Sequence, residues 1–118
     1  MTTPRRSVLY MPGANERALE KAKTIPADAL ILDLEDSIAP EEKVGARRTV
    51  REMLDARNPS QRSYIRVNAL DTDMTLGDLA AVMPGRPDGI VLPKCAGAAD
   101  VNRLSLYLDA FEAAAGIR

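Results

Sequence analysis

The sequence predicts an α/β fold built on a parallel sheet. Four short apolar runs alternate with four helix-length segments, the rhythm of consecutive βαβ units with right-handed crossovers. The second run, Ala29-Leu-Ile-Leu-Asp-Leu-Glu-Asp36, does not alternate polar and apolar residues, as expected of a strand buried on both faces. Each run also ends in residues that turn the chain or carry chemistry: Pro12-Gly13, then Glu35-Asp36, then Arg66 and Asn68, then Lys94. In a parallel sheet those ends share one rim, where α/β folds bind ligands.

The elements follow in order. Ser7–Met11 is a strand closed by Pro12-Gly13. Ala14–Thr24 is a helix with Leu19, Ala22 and Lys23 on its inward face, and Pro26 ends it. The acidic strand runs from Ala29 to Asp36, with Asp33 and Glu35 inside it. Ser37 reads as a helix cap, and Pro40 sits in the first turn of a helix over Glu41–Ala56. Val44, Val50, Met53 and Leu54 form the apolar side of that helix. Ser63–Asn68 is the third strand, in which Tyr64, Ile65 and Val67 favour extended backbone. A helix over Leu76–Met83 leads to Pro84-Gly85, Gly89–Leu92 is the fourth strand, and Ala98–Ala115 is the last helix.

Composition narrows the function. The 118 residues are of single-domain size, and 46% hydrophobic with 28% charged residues is ordinary for a soluble globular chain. A formal net charge of −1 gives no electrostatic case for nucleic acid or an anionic membrane. A single cysteine, Cys95, excludes an internal disulfide and fits a reducing compartment. Nothing approaches the roughly 20 apolar residues of a membrane helix, and Met1-Thr-Thr-Pro-Arg-Arg6 lacks a signal peptide's apolar segment. A cytoplasmic location is expected.

The rim residues each carry two readings. Three carboxylates within four positions, Asp33, Glu35 and Asp36, repel one another and need a cation, an arginine or ordered water. Arg66 has the fork that grips a carboxylate with two parallel hydrogen bonds, and it equally suits an internal ion pair with Glu35 or Asp36. Lys94 supplies charge to an anion or is a solvated strand-end lysine. Gly13 allows close backbone approach to a ligand, though a plain turn glycine is the simpler reading. Cys95 reads as a small buried residue, since the chain has no histidine to activate it.

Taken together the motifs resemble a known group. Arg6-Ser-Val-Leu-Tyr-Met-Pro-Gly13, Leu32-Asp-Leu-Glu-Asp-Ser-Ile-Ala-Pro-Glu-Glu-Lys43, Ile65-Arg-Val-Asn68 and Val91-Leu-Pro-Lys94 are similar to the citrate lyase β-subunit group. That group belongs to the HpcH/HpaI aldolase and malyl-CoA lyase superfamily. The resemblance spans nearly the whole chain in the right order. It implies a (β/α)8 TIM barrel, with residues 1–118 as the N-terminal four βα units of one lyase domain. It implies Mg²⁺-dependent cleavage or formation of a carbon–carbon bond in a hydroxy-acyl-CoA or related hydroxy or keto acid. Arg66 then binds the substrate carboxylate or keto acid, with Asn68, Lys94, Gly13, Lys43 and Arg47 as further substrate or CoA contacts. Glu35 and Asp36, as catalytic residues, then lie beside the metal site, acting through water or by orienting ligands. No metal ligand is assigned within this chain; the direct ligands are expected on strands beyond Arg118. The family's acidic residue two positions after the Pro-Lys lysine is here Ala96.

A barrel of this kind needs roughly 250 residues, so the chain is expected to be an N-terminal fragment or a shortened paralogue. The strands should be neighbours in sequence order with helices on one side. A homo-oligomer is expected. Two other classes compete. A phosphoacceptor receiver module would make Asp33 or Asp36 the phosphorylated aspartate and Lys94 its switch lysine, but it wants five strands and an acidic pair after the first. A non-catalytic half-barrel would act through a partner, because its two unpaired strand edges need covering.

Overall fold

A computed structural model describes residues 7–116, so Arg6 of the first motif and the leading residues lie outside the described residues. Four strands, β1 (Val8–Pro12), β2 (Ala29–Asp33), β3 (Arg62–Arg66) and β4 (Gly89–Val91), form one sheet in the order β1-β2-β3-β4. Every neighbouring pair is parallel. The helices between and after them are α1 (Glu16–Ala22), α2 (Lys43–Asp55), α3 (Thr75–Val82) and α4 (Ala98–Ala115). Short 3-10 turns at Pro40–Glu42 and Met83–Gly85 lead into α2 and out of α3.

One core joins the layers. Leu30, Leu32 and Leu34 are wholly buried and pack with Ile65 and Val67 against Leu19 and Ala22 of α1, Val50 and Leu54 of α2, Leu79 and Val82 of α3, and Leu104 of α4. These strand residues alternate, so all four helices lie against one face of the sheet. Each such leucine contributes roughly 1.5–3 kcal/mol on burial. The opposite face carries Val8 and Tyr10, both about half exposed, followed across the strands by Ile31 and Tyr64. Sequential strand order with helices on one side is the arrangement of a barrel wall. It contradicts a receiver module, whose doubly wound sheet reverses its strand order and carries helices on both faces.

Several local expectations are corrected. β2 ends at Asp33 rather than Asp36, because the Asp33 carboxylate accepts the amides of Glu35 (2.9 Å) and Ser37 (2.8 Å) and turns the chain. Ser37 therefore serves that turn: its hydroxyl donates to Asp33 at 2.6 Å, and neither the 3-10 turn nor α2 has a side-chain cap. Val44 is 68% exposed, since the buried side of α2 runs through Ala46, Val50, Met53 and Leu54. Cys95 is exposed, in the loop after β4, with its thiol donating to the Gly97 carbonyl at 3.5 Å.

Two glycines are required by close approach. Gly13 donates its amide to the Asp33 carbonyl at 2.8 Å, and a Cβ there would stand 2.6 Å from that oxygen and 2.7 Å from Val50 Cγ2. Gly89 lies in register with Tyr64, whose ring a Cβ would meet at 2.8 Å. Gly45, in contrast, has open space around it in the exposed part of α2. Gly13→Ala should therefore destabilise the chain by about 1–3 kcal/mol, the usual cost of overpacking. Gly45→Ala should stabilise it by about 0.5–1 kcal/mol through helix propensity. Thermal unfolding of the two variants should show shifts of opposite sign; equal shifts would contradict this packing.

Candidate functional site

The rim at the carboxyl ends of the strands is organised by the register. Asp33 and Arg66 are direct partners across β2 and β3, so their side chains stand side by side on the face away from the helices. They meet as a double fork: Arg66 Nε donates to Asp33 Oδ1 at 2.8 Å and Nη2 to Oδ2 at 2.9 Å. With the amides of Glu35 and Ser37 and the Ser37 hydroxyl, the Asp33 carboxylate accepts five hydrogen bonds and is 1% exposed. Burial alone would raise its pKa. The bonds from Arg66, Ser37 and the Glu35 amide overcome that, and the carboxyl is held well below its usual range. Reciprocally, the hydrogen bond to Asp33, against some desolvation, keeps the guanidinium charged beyond its ordinary range.

Glu35 and Lys94 extend the charge row. Glu35 is nearly buried, with Oε1 at 3.6 Å from Arg66 Nε and Oε2 paired with Lys94 Nζ. That hydrogen bond raises the Lys94 pKa. Lys94 adopts the left-handed backbone region at φ 52°, which costs a non-glycine residue of order 1–3 kcal/mol and clusters at functional sites. The row thus alternates in sign, Asp33, Arg66, Glu35, Lys94. Asp36 is exposed and contributes charge near Lys94 without a hydrogen bond to it among the described residues. Tyr10 closes one side, its ring centroid 5.2 Å from Arg66 Cζ in a cation–π contact.

The other candidates gather elsewhere. Arg47 Nε pairs with Asp78 Oδ1 at 2.8 Å, and its Nη2 donates to the Met74 carbonyl at 3.1 Å. Asp78, wholly buried on α3, accepts with Oδ2 the Asn68 amide at 2.8 Å and the Asn68 side chain at 2.7 Å. Asn68 also donates to the Leu34 carbonyl at 3.0 Å. Lys43 Nζ reaches that same carbonyl at 3.1 Å and the Glu35 carbonyl at 2.6 Å. Asn68, Arg47 and Lys43 therefore brace the loops that present Glu35, through Arg47 Nε and Nη2, Asn68 Nδ2 and Lys43 Nζ. The close approach that Gly13 permits is to β2 and α2. Asp33 was read as one of three carboxylates in need of a cation or an arginine, but Arg66 was matched to Glu35 or Asp36 instead; Tyr10 beside Arg66 and the buried Asp78 were not singled out from sequence.

The donor set does not make a metal site on its own. No group of three or more histidine, cysteine, aspartate or glutamate side chains is placed to hold a metal ion among the described residues. Both Asp33 oxygens are engaged, and Glu35 Oε2 is paired with Lys94.

The sign of the Asp33 shift gives a pH dependence. Its folded pKa lies below the unfolded one, so its stabilisation is complete above the ordinary carboxylate range and is lost as pH falls through and below it. Unfolding midpoints should stay flat from pH 7 to about 5 and drop steeply below about pH 4. Asp33→Asn should lower stability at pH 7 and flatten that acid limb. An unchanged acid slope in the variant would refute the assignment.

Comparison with known proteins gives the family. The chain is 45% identical over 103 residues to a (3S)-malyl-CoA thioesterase of Cereibacter sphaeroides, covering 86% of this chain and 36% of that protein. It is 42% identical over 118 residues to citrate lyase subunit beta of Escherichia coli, covering 98% of this chain and 38% of that one. The structure of protein CitE from Mycobacterium tuberculosis in complex with magnesium, acetoacetate and coenzyme A superposes with a TM-score of 0.73 at 32% identity, over 86% of this chain and 38% of that one. The chain thus spans little more than a third of the length of these relatives. The profile described as HpcH/HpaI aldolase/citrate lyase matches residues 6–118, and the chain belongs to that family.

Proposed function

We propose that residues 1–118 form the first four βα units of a single (β/α)8 barrel domain, in a cytoplasmic homo-oligomeric enzyme that makes or breaks a carbon–carbon bond. Its substrate is a hydroxy-acyl-CoA or a related hydroxy or keto acid. One observation carries the reading: Arg66 stands on the carboxyl rim, anchored by Asp33, and its Nη1 has no acceptor among the described residues. A fixed guanidinium with free donors binds and orients a carboxylate, and holding the reacting bond in register supplies much of the rate. Glu35 lies beside it, ready to accept from a bound water or substrate hydroxyl once Lys94 is displaced. Lys94, two-thirds exposed, offers charge to the anionic part of a thioester substrate.

Magnesium is the cofactor of this reading, as the magnesium-bound relative supports. When bound it would polarise a keto acid carbonyl and stabilise the enolate. Asp33 and Glu35 are paired with Arg66 and Lys94, and no group of three or more candidate ligands is placed to hold a metal among the described residues, so this reading puts the direct ligands on later strands of the barrel. The open face holding Tyr10 and Tyr64 would then be the inner surface of the barrel. No helix among the described residues is long and apolar enough to cross a membrane.

A second reading is favoured by the 45% identical relative, whose name is that of a thioesterase. Hydrolysis of the thioester would release the free acid and CoA; carbon–carbon cleavage of malyl-CoA releases acetyl-CoA and glyoxylate. Incubating the full-length protein with malyl-CoA and Mg²⁺ and separating the products decides between them. The lyase reading expects glyoxylate, and free malate with CoA alone would replace it by the thioesterase. Arg66→Lys should lower kcat/KM at least about tenfold, since charge is kept and the fork is lost. Unchanged kcat/KM would remove Arg66 from the site.

A further inference from the structure

Arg66 has two edges on which a carboxylate can be gripped by a pair of parallel hydrogen bonds. One is formed by Nε with Nη2, the other by Nη1 with the outer hydrogen of Nη2. Asp33 holds the first, at 2.8 and 2.9 Å. We propose that Asp33 is a positioning residue, which occupies the inner edge of Arg66 so that a ligand carboxylate is taken end-on, across Nη1 and Nη2, in a single orientation. This rests on the substrate-binding role given to Arg66 above.

Four features support the assignment. Asp33 cannot swing away to share the edge, because its oxygens are also fixed by the amides of Glu35 and Ser37 and by the Ser37 hydroxyl at 2.6 Å. It is 1% exposed, so water does not compete for the fork. Tyr10 stacks beside the guanidinium at 5.2 Å and limits its tilt, while Glu35 Oε1 at 3.6 Å from Nε guards the inner edge against a second anion. Nη1 has no protein acceptor among the described residues, so the outer edge is the one left to donate. The arrangement also separates two tasks that a lysine would merge: one edge ties β2 to β3, the other presents donors of fixed direction. Because Asp33 neutralises the guanidinium, directed hydrogen bonds rather than net charge select the ligand. A planar α-keto carboxylate meets that demand with its plane set by the guanidinium plane.

The test observes the Arg66 side chain of the full-length protein by ¹⁵N NMR, its Nε–H signal assigned by its loss in Arg66→Lys. Pyruvate is titrated in the presence of Mg²⁺. The expected result is an Nε–H signal in slow exchange with water that stays in place to saturation, while the Nη signals shift. Displacement of the Nε–H signal at saturation would mean that pyruvate takes the inner edge, and would overturn the inference alone. Absence of any saturable pyruvate binding would overturn the lyase reading and this inference with it. Asp33→Asn places an amide NH₂ or a weaker acceptor against Arg66, and should weaken pyruvate binding at least about tenfold. A folded Asp33→Asn protein with wild-type affinity would also overturn it. Should that variant fail to fold, the wild-type titration decides.

Discussion

The double-forked ion pair between Asp33 and Arg66 is the constraint from which the rim is built. Taking both charges out of water costs several kcal/mol per ion, and such a pair is stable only when its remaining donors and acceptors are met. Here they are met locally. Asp33 accepts from the next turn of its own chain and from the neighbouring strand at once. The same carboxylate therefore ends β2, shapes residues 34–37 and ties β2 to β3. Glu35 is aimed at the rim because the turn places it there. Leu34, also inside that turn, has its carbonyl turned to Lys43 and Asn68, which carries the constraint on to α2 and β3.

A second buried carboxylate works in parallel on the helix side. Asp78 is wholly buried and collects Arg47 from α2 and both donors of Asn68 after β3. The two hubs divide the polar residues near the rim into those that brace it and those that face outward. Arg47 and Asn68 belong to the first kind, although their residue types suit ligand binding. Arg66, Glu35 and Lys94 belong to the second. The division separates substitutions expected to alter stability alone from those expected to alter binding as well.

The fold was legible because its signals are local. Apolar runs of strand length, prolines at helix ends and helical periodicity each report on a few neighbouring residues, and all four helices and strands appear where these place them. The strand ends were less legible. β2 stops three residues early because a side chain, Asp33, competes with the ladder for the amides of Glu35 and Ser37, and that competition depends on Arg66, thirty-three positions away. That Arg66 could fork a carboxylate was readable from its type, but not which carboxylate it would choose, since the parallel register decides that. Asp78 was silent in sequence because nothing near it in the chain marks it as buried. Gly13 read most simply as a turn glycine, with close approach offered only to a ligand; its approach to the Asp33 carbonyl and Val50 became visible only in three dimensions.

The central claim is that Asp33 and Arg66 act as one unit, and a double-mutant cycle on unfolding free energy tests it most directly. Asp33→Ala and Arg66→Ala should each be strongly destabilising, by about 3–5 kcal/mol, the usual cost of breaking a buried ion pair by removing one partner. The double variant should then lose well under the sum of the two, with a coupling of about 2 kcal/mol or more. Losses that add to within about 0.5 kcal/mol would contradict the account, since the two side chains would then be independent.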